Sequence, residues 1–273
     1  MASPSSLFED SWKRIGRSRI HAEALWGEVD RLFPKDGYTV LPHKESERTW
    51  TLSAAFKTPV GDNTIALELG EFFYQLRAAL DAAVWKAVWI MDGTEPPANA
   101  SNLEFPIYTD EGKFNNAGIH KLNFPQELRD WLATIQPYSA DKSISDPDSG
   151  LNVTLKGIHD CARKDRHRRL HVFACIGEPV GFECLPASPG VGITFVQPVR
   201  SDFLKGENTF LRFGVAGSGP DFKINLATSL KVDIAIEDIP IWGPSFGDEL
   251  KRFGLATEYV INRFDSVFAK LGY

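Results

Sequence analysis

Helical and strand-like patterns occupy different parts of this chain and do not alternate. Apolar residues recur at helical spacing through the first 169 residues, interrupted by one short hairpin. Residues typical of strands then take over from 170 to 240, and one amphipathic helix closes the chain. A parallel sheet built from βαβ units needs strand and helix in turn. The segregation therefore predicts an α+β fold: a helical N-terminal two-thirds with a short β-hairpin, an antiparallel β-sheet region, and a C-terminal amphipathic helix.

Turn and cap residues divide the pattern further. Ser5 or Ser6 is placed to cap a helix running to about Arg31, which Pro34, Asp36 and Gly37 stop. Tyr38–Pro42 and Thr49–Phe56 read as paired strands joined by a charged turn. A second helix spans Ile65 to Met91, a short one lies around Gln126–Ile135, and a third long one runs from Leu151 to about Arg166. Val172–Ile176, Val191–Val196, Thr209–Val215 and Phe222–Ile236 read as strands. Ser245 caps the last helix, where Phe246, Leu250, Phe253, Val260, Ile261, Phe264, Val267 and Phe268 fall on one face. No repeat or low-complexity segment breaks the chain. At 273 residues and 43% hydrophobic it is long enough to bury a large core. A single domain over 1–273 is expected, with a mainly helical part (1–169), a β-rich part (170–240) and the helix 245–271.

The second helix carries the first candidate site. With about 100° between successive residues, Leu69, Phe72, Phe73, Leu76, Leu80, Ala83, Val84 and Ala87 form its apolar sector. Glu68, Glu71, Gln75 and Lys86 form its water-facing sector. Arg77 and Asp81 lie outside the polar sector, among Phe73, Tyr74, Val84, Trp85 and Val88. Charge in such surroundings must be paired and hydrogen-bonded, and an Arg–Asp pair one turn apart meets part of that need. Two readings follow: an ion pair that fixes helix packing, or a pocket wall where Arg77 offers its guanidinium to an anion while Asp81 orients it.

The second candidate is the stretch CARKDRHRRLH, Cys161 to His171. The carbonyls at a helix C-terminus attract cations, which accounts for most of its arginines and lysines. Asp165 has the wrong sign for that position. It falls on the apolar stripe of Leu151, Leu155, Ile158 and Ala162, and is expected to meet Arg77, Arg169 or an indole in a polar network shared with the Arg77–Asp81 pair. His159 lies nearer the core and His167 nearer water; both are candidates for acid–base chemistry with Arg77. Arg166, His167 and Arg168 join Arg77, Asp81 and Asp165 as candidate anion ligands.

Several functions are argued against. A formal charge of −6 does not suit a dedicated duplex-DNA binder. The three cysteines lack metal-ligand spacing and fit reduced thiols; with no HExxH or His–Cys constellation, neither a metal nor a cofactor is expected. The segment GVAGSG, Gly214 to Gly219, lacks the Lys-Ser/Thr of a phosphate loop and reads as a β-turn. Asn152-Val153-Thr154 is a glycosylation acceptor only in form, and Trp85, Trp89 and Trp131 read as core aromatics. No run approaches 18 apolar residues and no apolar leader follows the first charges, so a cytoplasmic protein without a membrane span is expected.

The run LELGEFFYQLRAALDAAVW, then LEFPIY, IQPY and DRHRRL, covers roughly Leu67 to Leu170. It resembles a family of uncharacterised bacterial proteins with a G-x5-LR-x-ALD-x2-VW helix followed by FPI, QPY and a D-K/R-H-R-x-L segment. The same helix is similar to that of the HEPN superfamily of helical ribonucleases, in which an arginine is followed by a histidine. That resemblance implies a histidine at position 82, where this chain has Ala82. The leading expectation is an α+β protein that binds a small anion or a protein partner at an Arg/Asp/His site between two helices. The alternatives are a metal-independent ribonuclease, with RNA as partner, and an interaction protein whose named charges are all structural; a homodimer is compatible with each.

Overall fold

A computed structural model of the protein describes residues 7–32, 38–56, 63–97, 100–139, 149–167, 170, 172–178, 192–198, 207–216, 231–236 and 246–273. Within them the chain order is α1 (Glu9–Leu32), β1 (Tyr38–Lys44), β2 (Thr49–Phe56), α2 (Asn63–Asp92), α3 (Glu111–Asn115), α4 (Gln126–Thr134), α5 (Ser149–His167), β3 (Val172–Glu178), β4 (Gly192–Pro198), β5 (Glu207–Ala216), β6 (Lys231–Ile236) and α6 (Phe246–Lys270). This is the α+β arrangement the segregated patterning predicts. The proposed caps Ser5, Ser6 and Ser245 lie outside the described residues; of the turn expected over Gly214–Gly219, the first three residues instead complete β5 and the rest lie outside the described residues. No described helix is long and apolar enough to cross a membrane.

Contacts group the chain into two compact units. The first holds residues up to Glu23, then Glu68–Arg169 and Leu250–Tyr273; the second holds Ala24–Leu67 and Leu170–Glu249.

The first unit is helical, and its core follows from the stripes on α2, α5 and α6. Every residue assigned to the apolar sector of α2 is buried, as are Leu151, Leu155, Ile158 and Ala162 of α5. The seven apolar positions of the closing helix that belong to this unit, Leu250 to Phe268, are buried as well, and Phe246 is buried in the second unit. Phe264 is the hub, with Phe8 at 5.7 Å, Phe105 at 6.4 Å and Phe124 at 6.4 Å between ring centroids. Phe73 of α2 meets Phe253 of α6 edge-on at 5.0 Å, within the range where aromatic pairs attract beyond their area alone. One feature of α2 departs from its wheel: Gln75, placed on the water-facing sector, is buried. On that same sector His21 of α1 hydrogen-bonds Glu68 at 2.8 Å, so a neighbouring helix reaches over the polar face.

The second unit holds the sheets. β1, β2, β5 and β4 form an antiparallel four-stranded sheet in that order, and β3 pairs with β6. The early hairpin thus joins strands made more than 130 residues later, with Leu52 opposite Leu211. Pro42 sits in β1, an edge strand, where its missing N–H leaves no central ladder bond unmade. Arg212 forks onto Glu45 at 2.8 and 3.0 Å, tying β5 to the hairpin turn.

Candidate functional site

The site is built around a strap without regular secondary structure, residues 103–109, between α2 and α3. A buried backbone needs partners for its N–H and C=O groups, and here side chains supply them. Arg77, only 4% exposed, donates through Nη2 to the Phe105 carbonyl at 2.8 Å. Asp81 accepts the Phe105 N–H at 2.8 Å. The two are joined to each other, Nε to Oδ2 at 3.2 Å and Nη2 to Oδ1 at 2.9 Å. The i,i+4 pair thus grips both polar groups of one residue, while the Phe105 ring is buried beside Phe264.

Gln136 fixes the other end of the strap. Its Oε1 accepts the Tyr108 N–H at 2.9 Å, and its Nε2 donates to the carbonyls of Pro106 at 3.1 Å and Leu132 at 2.9 Å. Asn152 of α5 is buried and donates to the Gln136 carbonyl at 3.0 Å. A buried Asn152 explains why its apparent glycosylation motif is only formal. The motifs FPI and QPY are therefore two halves of one contact, and the LR-x-ALD helix supplies the third partner.

Between the strap, α3 and α5 lies a cleft of about 370 Å³. Arg77 and Glu104 form one side of its lining, Lys113 stands at α3, and Lys156, His159 and Arg163 come from α5. Asp160 is the other carboxylate in the lining, and Lys156 pairs with it at 2.5 Å. Glu104 approaches Arg77 Nη2 only to 3.7 Å and is largely exposed. Four permanent cations against two carboxylates leave the lining net positive.

Two residues of this lining each carry a buried nitrogen with no hydrogen-bond partner among the described residues: Nη1 of Arg77 and Nδ1 of His159. Burial holds the His159 imidazole below its ordinary pKa, and the nearby Arg77 guanidinium adds to the effect. Burial also pushes the Asp81 carboxyl up, against the opposing pull of Arg77 and the Phe105 N–H.

Asp165 is placed elsewhere. Its carboxylate rests on Gly70, so closely that a Cβ at position 70 would overlap it. Its raised pKa comes from burial and from Glu71, with no part for Arg77. Gly70 precedes Arg77 by seven residues, about 10 Å along a helix. The expected single network is thus split: α2 and α5 do meet, but no hydrogen bond joins Asp165 to Arg77 or Asp81 among the described residues. The side chains of Arg166 and His167, and all of Arg168 and Arg169, lie outside the described residues. Cys161 is buried, and burial pushes its thiol up, away from the nucleophilic thiolate form.

A second cleft, about 1250 Å³, runs between the first half of α1 and α2. Arg77 and Asp81 reach its lining too, together with Ala82, Trp85 and Trp89. The two indoles are half-buried. They are therefore wall residues, whereas Trp131 is a core residue. Ala82, where the ribonuclease motif has histidine, lines this cleft, and His159 lines the other.

Helical wheels identify Arg77, Asp81 and His159. They give no sign of Lys113, or of Glu104, Gln136 and Asn152, whose roles arise from pairings across 16 to 30 residues. The FPI and QPY motifs were the available signal for the strap and Gln136. No protein-family model matches this chain, and no curated protein or solved structure matches it.

Proposed function

We propose that this chain binds a small oxyanion, of phosphate or carboxylate type, in the cleft between α2, the strap and α5. One observation carries the reading: two residues lining one net-positive cleft, Arg77 and His159, each hold a buried, unpartnered nitrogen, Nη1 and Nδ1. An unsatisfied buried polar group costs about 1–3 kcal/mol, and a bound oxyanion relieves that cost at both nitrogens. Arg77 is well held for the task, since Nε and Nη2 are already fixed on Asp81 and Phe105. Lys113 and Arg163 supply the outer charge that draws the anion in. The setting we envisage is the cytosol.

Calorimetric titration with inorganic phosphate and a phosphate monoester at low ionic strength tests this. Binding should weaken several-fold in Arg163→Ala, an exposed position, and further in His159→Asn. Failure of the wild type to bind either anion, or equal binding by all three proteins, would overturn the proposal.

A metal-independent ribonuclease is the enzymatic alternative, and one observation favours it: Arg77 and a histidine held neutral share an open cleft, the pairing that acid–base cleavage needs. RNA cleavage in the presence of chelator, lost in His159→Asn, is its signature.

A further inference from the structure

The larger cleft has a different chemistry. On α2, Tyr74, Ala78, Ala82, Trp85 and Trp89 follow one another at steps of three or four residues and so share a face. All five line the cleft. The face is aromatic at both ends and low in the middle: Tyr74 is 47% exposed, the indoles of Trp85 and Trp89 lie 5.8 Å apart, and two alanines between them keep the floor open. Lys86 Nζ stands 3.3 Å from the centre of the Trp89 ring, which shows that this ring presents its electron-rich face to a cation.

The facing wall is α1. Its acids are occupied: Glu9 pairs with Lys13 at 2.9 Å, and Asp10 approaches the same lysine at 3.8 Å. Asp81, across the cleft, is held by Arg77. Arg14 and Arg17 also line the cleft, and neither has an ion-pair partner among the described residues. Below them Ser11 is 1% exposed, and its buried hydroxyl has no hydrogen-bond partner among the described residues. A buried polar atom of this kind, in the lining of an open cleft, points to a ligand that supplies the missing bond.

We infer that the cleft between α1 and α2 is a second binding site, for a planar aromatic ring that carries a negative charge. The ring lies over Ala78 and Ala82, bracketed by Tyr74 and Trp85; the charge meets Arg14 and Arg17, and a polar edge reaches Ser11. Such a ligand has two sources, an aryl carboxylate or a nucleotide. The inference does not depend on oxyanion binding in the cleft at His159.

Tryptophan fluorescence provides the test, with naphthalene-2-carboxylate and adenosine monophosphate as probes and acetate as the ringless control. The wild type should show saturable quenching with at least one probe and none with acetate. A response to one probe alone identifies the source. Two variants should each weaken binding at least fivefold: Ala82→Leu, which fills the floor, and Arg14→Ala/Arg17→Ala, which removes the charge. Arg163→Ala, in the other cleft, should bind as the wild type does. Unchanged circular dichroism and melting temperature establish that the variants fold. No saturable quenching by either probe, or quenching that both folded variants retain in full, would overturn the site.

Discussion

The two clefts share Arg77 and differ in almost everything else. The one at His159 is small, about 370 Å³, and is walled by a strap and by charged side chains of α5. The one along α1 is about 1250 Å³ and has an aromatic wall on a single helix face. Their common residue is structural first: Nε and Nη2 of Arg77 hold Asp81 and the Phe105 carbonyl. Only Nη1 is left over. The packing ion pair uses Nε and Nη2, and the proposed anion contact, which from sequence looks like a rival explanation, would fall to the other nitrogen of the same guanidinium. The rigidity that Asp81 and Phe105 impose is what makes the remaining nitrogen a fixed donor.

Arg77→Ala should break the comparison altogether. It leaves the Asp81 carboxylate and the Phe105 carbonyl without their partner in a buried setting, a loss of about 3–5 kcal/mol for a broken buried pair. Denaturant unfolding should show that loss, with both clefts failing together.

Gly70→Ala is the next largest, and it should separate them. The added methyl meets the Asp165 carboxylate, so that side chain must swing aside or α2 and α5 must part, at up to about 1–3 kcal/mol for overpacking. The cleft at His159, which depends on the spacing of α2 and α5, should lose anion affinity. The cleft on α1 should keep its own ligand. Asp165→Ala in the Gly70→Ala background should restore stability, and a double-mutant cycle measures the coupling.

A third prediction concerns pH. Burial and Arg77 depress the His159 pKa, so the imidazole gives up its proton more readily than a free one. An anion beside it favours the charged form and raises that pKa. By linkage, anion binding takes up a proton and tightens as pH falls below the ordinary imidazole value of about 6.5. Calorimetry in buffers of different ionisation enthalpy should show the uptake, with a several-fold gain in affinity between neutral and mildly acidic pH. His159→Asn should abolish both, and binding in the α1 cleft should show neither.

The smallest effect is expected at Asp165. Burial and Glu71 raise its pKa, so the folded chain holds that proton more tightly than the unfolded chain does. The stability this confers is present below the unfolded carboxyl value of about 3.9 and is lost as pH rises through the folded one. Asp165→Asn should therefore raise the melting temperature modestly at pH 7 and leave it unchanged at pH 3. A loss at pH 7 would show that the carboxylate has a partner worth keeping.

What could be read from the sequence, and what could not, follows from the range of the forces involved. The closing helix is legible because its eight buried apolar residues recur at a period the backbone itself sets. Arg77 and Asp81 are legible because charge in an apolar sector contradicts that period. Gln75 is misread, since a wheel registers one helix's stripe and cannot register a neighbour covering its polar side. Trp85 and Trp89 are misread because size and apolarity suit a cleft wall as well as a core. The strap is invisible to periodicity: Phe105 and Tyr108 find their partners 28 residues away in each direction, on Arg77 and Gln136. The expectation for Asp165 is half right, since it does reach α2, but at a glycine two turns short of the arginine.

The place of Phe264 in the helical unit has a consequence for how a ribosome delivers this chain. Phe8 and Phe105 are complete only when Phe264 arrives, and Phe8 also waits for Phe268. At roughly 5–20 residues per second, α2 is complete for about 9–34 seconds before Phe264 is made, and α1 for longer. Through that interval their most apolar faces stand open to water, or to whatever chaperone covers them. A codon change that slows translation after α2 lengthens the exposure without altering a single contact of the finished fold.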